Sequence, residues 1–219
     1  MQVPDFATAL RDGKLRLVEQ EASTLLRLTQ RSHSEPYFGT KKVSRFDDLL
    51  QLYRVTYAAR SLEVTFAETV LHESALYEAG AWIVPASAVY ECSIVYLDAD
   101  RPLVLADLTG PSLKVIGLDN QVSAGIDYAS TWAISRALHE AVPECDGILY
   151  VSRHNNRGEA VAVFERSGAR IHHARTRSLE HHSALPQLPA LFGVELLPDA
   201  DAPGSRLPKP PGPTLKRIR

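Results

Sequence analysis

The sequence predicts a mixed α/β (α+β) domain, and three observations carry that expectation. Short runs rich in β-branched and aromatic residues recur along the chain, bounded by Gly, Pro, Ser or charged residues. Two stretches between them repeat their apolar residues with helical periodicity instead. The 219 residues are 45% hydrophobic and 23% charged, an ordinary globular composition long enough for one large core, with or without tails.

Residues 1–24 read as an amphipathic helical lead-in whose Phe6, Leu10, Leu15 and Val18 could dock on the domain, although Gly13 interrupts the pattern. Leu25 to Gln30 (LLRLTQ) is strand-like, with Arg27 inside it. SHSEPYFGTKKVS follows as a loop by its Ser, Pro and Gly content. Leu52 to Ala58 (LYRVTYA) is a predicted strand. Ser61 then caps a helix, with Glu63 in its first turn and Leu62, Phe66 and Val70 on one buried face. Glu68 lies elsewhere on that helix, between Val64 at i−4 and Leu71 at i+3. An acid with apolar flanks needs a hydrogen-bond partner or a ligand. Its plainest partner on spacing is Arg45 or Arg60.

Trp82 to Pro85 is a short apolar piece, and Val89 to Leu97 alternates as a strand with Tyr90, Cys92, Ile94 and Tyr96 on one face. LVLADL is a further strand, and Leu113 to Leu118 reads as short and irregular. Thr131 to Val142 is a predicted helix with Trp132, Ala133, Ala137 and Ala141 or Val142 inward, ended by Pro143. GILYVSR and AVAVFE, separated by the polar HNNRGE, predict an antiparallel hairpin with Ser152 at the end of its first strand. A last strand-like piece covers Phe192 to Leu197. From Pro198 onward Pro, Gly and charge dominate, which predicts a flexible tail through 219. Its basic end, with Lys216, Arg217 and Arg219, reads as a solubilising terminus or as a contact for a partner.

A formal net charge of −2 supplies no global field for nucleic acid or an anionic membrane. No apolar run approaches the ~20 residues of a membrane span, and the first residues lack a signal-peptide core. The two distant cysteines predict no disulfide framework, so a soluble cytoplasmic protein is expected. No dinucleotide or phosphate-loop glycine motif, nucleophile elbow or CxxC pair is present. His172/His173 and His181/His182 are adjacent pairs, which point to opposite sides of an extended chain and do not chelate, so no metal is expected.

Several segments together resemble the RES-domain family, the toxins of bacterial toxin–antitoxin pairs. They are LLRLTQ, SEPYFG, SRFDD, YRVTYAARSLEVTFAE, DLTG, YASTWAISRALHE and DGILYVSR, in family order over about Leu25 to Phe164. The resemblance implies an RES domain over residues 25–197 with an ADP-ribosyltransferase-like fold, two small sheets and helices around an NAD cleft. It carries over a triad of Arg45, Glu68 and Ser152, with Tyr57 as the aromatic before the Glu helix. Arg27 matches the early pocket Arg, and Arg31 competes for that place. Arg60 departs from the smaller residue of many members. The implied activity is depletion of NAD by cleavage of the nicotinamide–ribose bond, with water or inorganic phosphate as acceptor and no bound cofactor. The implied partner is a helix-turn-helix antitoxin that blocks the pocket; a homo-oligomer within that complex is allowed for, and no direct nucleic-acid contact is expected.

The residue types suit that chemistry. Breaking the C1′–N bond passes through an oxocarbenium-like state that a carboxylate can stabilise. Pyrophosphate favours the planar donors of Arg, an aromatic ring can stack on a base, and a strand-end Ser can bond ribose or phosphate. Plainer readings stand beside each: Arg45 paired with Asp47 or Asp48, Tyr57 in the core, Ser152 as a turn residue. Two other functions also fit: an ADP-ribosyltransferase acting on protein or nucleic acid, and a non-catalytic module that binds a regulator.

Overall fold

Two β-sheets and the helices that cover them make up the protein, seen in a computed structural model that describes residues 2–30, 34–39, 44–78, 80–166 and 168–199. In chain order the strands are β1 (Leu17–Gln20), β2 (Leu26–Thr29), β3 (Val55–Ala59), β4 (Leu76–Glu78), β5 (Ala81–Pro85), β6 (Ser93–Ala99), β7 (Leu103–Leu108), β8 (Gly147–Val151), β9 (Glu159–Phe164), β10 (Ile171–Ser178) and β11 (Val194–Leu197). The larger sheet runs β1-β7-β8-β9-β3-β2-β6-β10 and the smaller β11-β5-β4. Within the larger sheet only β7 and β8 are parallel. Parallel neighbours need a long crossover, and here it contains the Ala129–Ala141 helix.

The central strands are buried on both faces, which explains their near-continuous apolar runs. Ala106, Leu108, Ile148, Tyr150, Ala160, Ala162 and Phe164 join one core cluster, into which the Ala129–Ala141 helix sends Ile134 and Leu138. The alternate residues Leu103, Leu105, Leu149, Val161 and Val163 form a cluster on the opposite face. A third cluster joins Leu62, Phe66 and Val70 to Ile94 of β6 and Val84 of β5, tying the Glu68 helix to both sheets.

The expected α+β class with two sheets holds, but the sheets are unequal, with eight and three strands. The β8–β9 hairpin forms as expected, from Gly147 opposite Val163 to Val151 opposite Glu159. The lead-in is a helix only over Phe6–Arg11. After Gly13, at φ 66°, it becomes edge strand β1, antiparallel to β7. Phe6 and Leu15 do dock, in the first cluster. Tyr90 leaves the predicted strand for a short helix, Ser87–Tyr90, because the chain must turn before β6. The supposedly irregular stretch begins as a helix, Gly110–Val115, started by a Pro in its first turn. Of the residues expected inward on the long helix, Val142 is buried and Ala137 and Ala141 pack against the first cluster, but Ala133 is exposed, and Thr131, Ile134, Ser135 and Leu138 supply most of the buried face. His172 and His173 lie on β10, an exposed edge strand. The predicted tail beyond Asp199 lies outside the described residues. Among those residues no helix is long and apolar enough to cross a membrane.

The Ala129–Ala141 helix also builds in an acid-sensitive contact. The His139 ring stacks on Tyr53 at 3.9 Å and meets Phe164 edge-on at 5.2 Å. Burial, with the nearby Arg166 charge, lowers its pKa from 6.5 to about 4. The fold therefore favours the neutral ring. That contribution is complete above the unfolded value of 6.5 and is lost as pH falls towards about 4. His139→Phe keeps an aromatic ring and removes the proton site, so its thermal midpoint should fall less than wild type's when both are scanned across that window.

Candidate active site

Residues 44–48 (SRFDD) form neither helix nor strand, so neighbouring side chains must fix their shape. Ser44 N–H donates to Asp47 Oδ2 at 2.9 Å, closing the turn on itself. The long helix grips it from one face. Trp132 Nε1 donates to Ser44 O at 2.9 Å, Ser135 Oγ to Phe46 O at 2.7 Å, and Arg136 Nε to Asp48 Oδ1 at 3.0 Å. Burial raises the Asp48 pKa, but the Arg136 hydrogen bond and the N–H groups of Leu52 and Leu50 outweigh it and hold the carboxyl below its usual value. From β3, Tyr57 Oη accepts Phe46 N–H at 2.9 Å and donates to Asp47 Oδ1 at 3.1 Å. Burial raises the Tyr57 phenol well above its ordinary pKa, so the hydroxyl keeps the proton it donates.

This clamp presents Arg45, which is buried with 7% of its surface exposed. Its Nη1 donates to the carbonyls of Val122 at 3.3 Å and Gly125 at 2.9 Å, and the guanidinium lies 4.7 Å from the Tyr128 ring centre. Arg45 pairs with neither Asp47 nor Asp48, since those carboxylates hold the turn and Arg136. Its Nε and Nη2 meet no acceptor among the described residues, leaving donors for a ligand.

Glu68 comes from the helix after β3. Ser61 Oγ accepts Val64 N–H at 3.2 Å as the expected cap. The helix is regular over Leu62–Phe66, widens into a π turn over Ala67–Leu71, and tightens again at His72–Ser74. Such turns often mark functional sites. Thr65, Glu68, Thr69 and His72 share the cavity-facing side, opposite the buried Leu62, Phe66 and Val70.

Glu68 pairs with neither Arg45 nor Arg60. Arg60 instead donates to Gln20 and lies 3.9 Å from Glu159. Glu68 Oε1 accepts Ser152 Oγ–H at 2.6 Å and Arg153 N–H at 3.1 Å. Ser152 Oγ in turn accepts Asn155 N–H at 3.0 Å, and only 1% of the residue is exposed. Its hydroxyl proton and an acceptor position are thus already used inside the protein. Ser152 holds the Glu68 carboxylate in place from within the protein, and little of its own surface faces the cavity.

The loop bearing Ser152 can lie this close only because residue 158 is Gly. A Cβ there would fall 2.2 Å from Val64 Cγ2, on the helix that carries Glu68. Val64 is 2% exposed and β-branched, so it has little room to move. Gly158→Ala should cost about 1–3 kcal/mol in denaturant unfolding, as overpacking does, and should also reduce activity by lifting Ser152 and Arg153 from Glu68.

Arg27 on β2 is less available than Arg45. Its Nη1 donates to Tyr37 O at 2.9 Å and Thr56 Oγ1 at 2.7 Å and lies 3.5 Å from Glu35 Oε2. Arg31, the competing pocket Arg, lies outside the described residues. Arg27, Arg45, Tyr57 and Glu68 all line one cavity of about 370 Å³, with Ser152 bonded to Glu68 behind its wall. That volume falls in the range of small-molecule sites.

The cavity contains residues that sequence reasoning missed. Tyr150 precedes Ser152 by two positions, so strand alternation places both on one side. Its hydroxyl makes no hydrogen bond among the described residues, and burial with the Glu68 charge raises its pKa well above the usual value. His72, one helical turn past Glu68, and His154, two residues past Ser152, bring their rings within 5.0 Å. Each stood at helix or loop spacing from a chosen residue, and that spacing was the available signal. No group of three or more His, Cys, Asp or Glu among the described residues is arranged to hold a metal ion.

Comparison with known proteins places these features in a family setting. A family model for the RES domain matches residues 24–186. No curated protein sequence matches the chain. Among solved structures, the fold is similar to a chain in the crystal structure of the M. tuberculosis MbcT–MbcA toxin–antitoxin complex. The TM-score is 0.57 at 19% identity, covering 86% of this chain and 96% of that one.

Proposed function

The chain belongs to the RES-domain family, and from that premise we propose that its cavity cleaves the nicotinamide–ribose bond of NAD, making it the toxin of a toxin–antitoxin pair. The observation that carries the reading is the Glu68 carboxylate, oriented from behind by Ser152 in a cavity it shares with Arg45. Oε1 is occupied by two protein donors, while Oε2 meets none among the described residues. A carboxylate fixed in this way can face the positive charge that develops at ribose C1′ without reorganising during the reaction. Nicotinamide leaves with the bonding electron pair as a neutral ring, so it needs no strong acid.

Arg45 is the better pyrophosphate ligand of the two arginines that line the cavity among the described residues, because its Nε and Nη2 are available to oxyanions. Arg27 is partly neutralised by Glu35 and supports the β2 side of the cavity. Tyr57 contributes a ring face while its hydroxyl holds the Arg45 turn. Water or inorganic phosphate takes the ADP-ribosyl group, and NAD is a substrate rather than a resident cofactor. The reaction belongs in the cytoplasm. A helix-turn-helix antitoxin filling the cavity would silence it, and the likeness to a chain of a toxin–antitoxin complex supports such a partner.

The test is expression without any antitoxin. Growth arrest with falling cellular NAD is the expected result. Purified protein given labelled NAD then separates the outcomes. Free ADP-ribose indicates hydrolysis, a phosphate-dependent product phosphorolysis, and label on macromolecules ADP-ribosyl transfer. Intact NAD in both settings would leave a regulator-binding module.

A further inference from the structure

A second, more open recess of about 620 Å³ is lined by the loop that follows Ser152. Arg153, Arg157 and Ser61 are among its walls. Among the described residues His154 is the one that lines both this recess and the Glu68 cavity. It is half-buried, and its ring faces His72 at 5.0 Å. An imidazole in that position borders both the open recess and the cavity that holds Glu68.

We propose that His154 is a general base of this site, taking the proton from the acceptor that enters through the second recess. The inference rests on the NAD-cleaving reading. In the step, the acceptor oxygen forms a bond to ribose C1′ while the C1′–N bond breaks. Nicotinamide departs with the electron pair of that bond, and the acceptor's proton passes to the His154 imidazole and then to water in the recess. Glu68 is poorly suited to this proton transfer, because its Oε1 is engaged by Ser152 and Arg153 and its charge is needed opposite C1′. The groups acting on His154 are Glu68 and His72 from the helix, Arg153 from its own loop and Arg45 from the opposite turn. Burial lowers its pKa first. Glu68 raises it, His72, Arg153 and Arg45 lower it, and the net direction is down from 6.5. The ring is therefore neutral, and able to accept a proton, at neutral pH.

The experiment measures nicotinamide release from NAD by purified wild type, His154→Ala and His154→Asn, from acidic to alkaline pH, with and without azide. Azide is already an anion and needs no base. Wild-type hydrolysis should fall on acidification with a midpoint below 6.5. Both variants should hydrolyse NAD about 10²-fold or more slowly, lose that acidic limb, and regain release in azide with formation of a glycosyl azide. Folding is checked by thermal midpoint, and the Asn variant, closest in shape, serves where Ala unfolds. An active wild type with folded variants that match its rate, keep its acidic limb or gain nothing from azide overturns the role of His154 alone. A wild type that releases no nicotinamide overturns the NAD reading and this inference with it.

Discussion

Glu68→Gln is expected to lower the rate of NAD cleavage by about 10²–10³-fold, the usual cost of removing a well-placed electrostatic partner from a developing charge. The amide keeps the shape of the side chain, and its carbonyl oxygen can still accept from Ser152 Oγ and the Arg153 N–H, the two donors that Glu68 Oε1 now serves. What disappears is the negative charge. The fold should tolerate that loss, because no cation pairs with Glu68 among the described residues. The thermal midpoint should therefore stay close to wild type while the rate collapses. In cells, wild type should deplete NAD and stop growth, and the variant at equal soluble level should do neither. A variant that cleaves NAD at the wild-type rate would remove Glu68 from the chemistry.

Ser152→Ala should have the next largest effect. Ser152 is almost fully enclosed, so its hydroxyl acts on the reaction through Glu68 rather than through contact with substrate. Its removal leaves Glu68 with one protein donor and leaves Asn155 N–H without its acceptor. The cost to stability is about 1–3 kcal/mol, the penalty for a buried polar group left unsatisfied. The cost to catalysis should appear in kcat by about 10-fold or more with KM nearly unchanged, since the variant loosens the group that meets the transition state and spares the pyrophosphate end. A change confined to KM would place Ser152 on the substrate instead.

Much of this arrangement could be read in the sequence, for identifiable reasons. β7, β8 and β9 announce themselves because both of their faces are buried, so almost every residue is apolar. The Ser61 cap and the Leu62, Phe66, Val70 spacing fix the start and buried face of the Glu68 helix. β10 was missed because an exposed edge strand with the sequence IHHARTRS carries no alternation. β1 was missed because four residues pair only with β7, a partner far away in sequence. The inward face of the long helix was read only in part, with Ala137, Ala141 and Val142 meeting the core, because the polar Ser135 is buried too, its hydroxyl committed to the backbone of Phe46. Arg45, Glu68 and Ser152 were chosen by resemblance, but the contact between Ser152 and Glu68 was not legible. The spacing of 84 residues between Glu68 and Ser152 says nothing of a hydrogen bond, which depends on Gly158 letting the β8–β9 loop settle on Val64.

The most direct test of the central claim uses the purified protein, free of any partner, and NAD labelled in its adenosine half. The account predicts that nicotinamide appears in step with labelled ADP-ribose or its phosphorylated form, and that Glu68→Gln, folded to the same thermal midpoint, produces almost none. NAD that stays intact with wild type, or label that accumulates on macromolecules instead of in a small product, would contradict it.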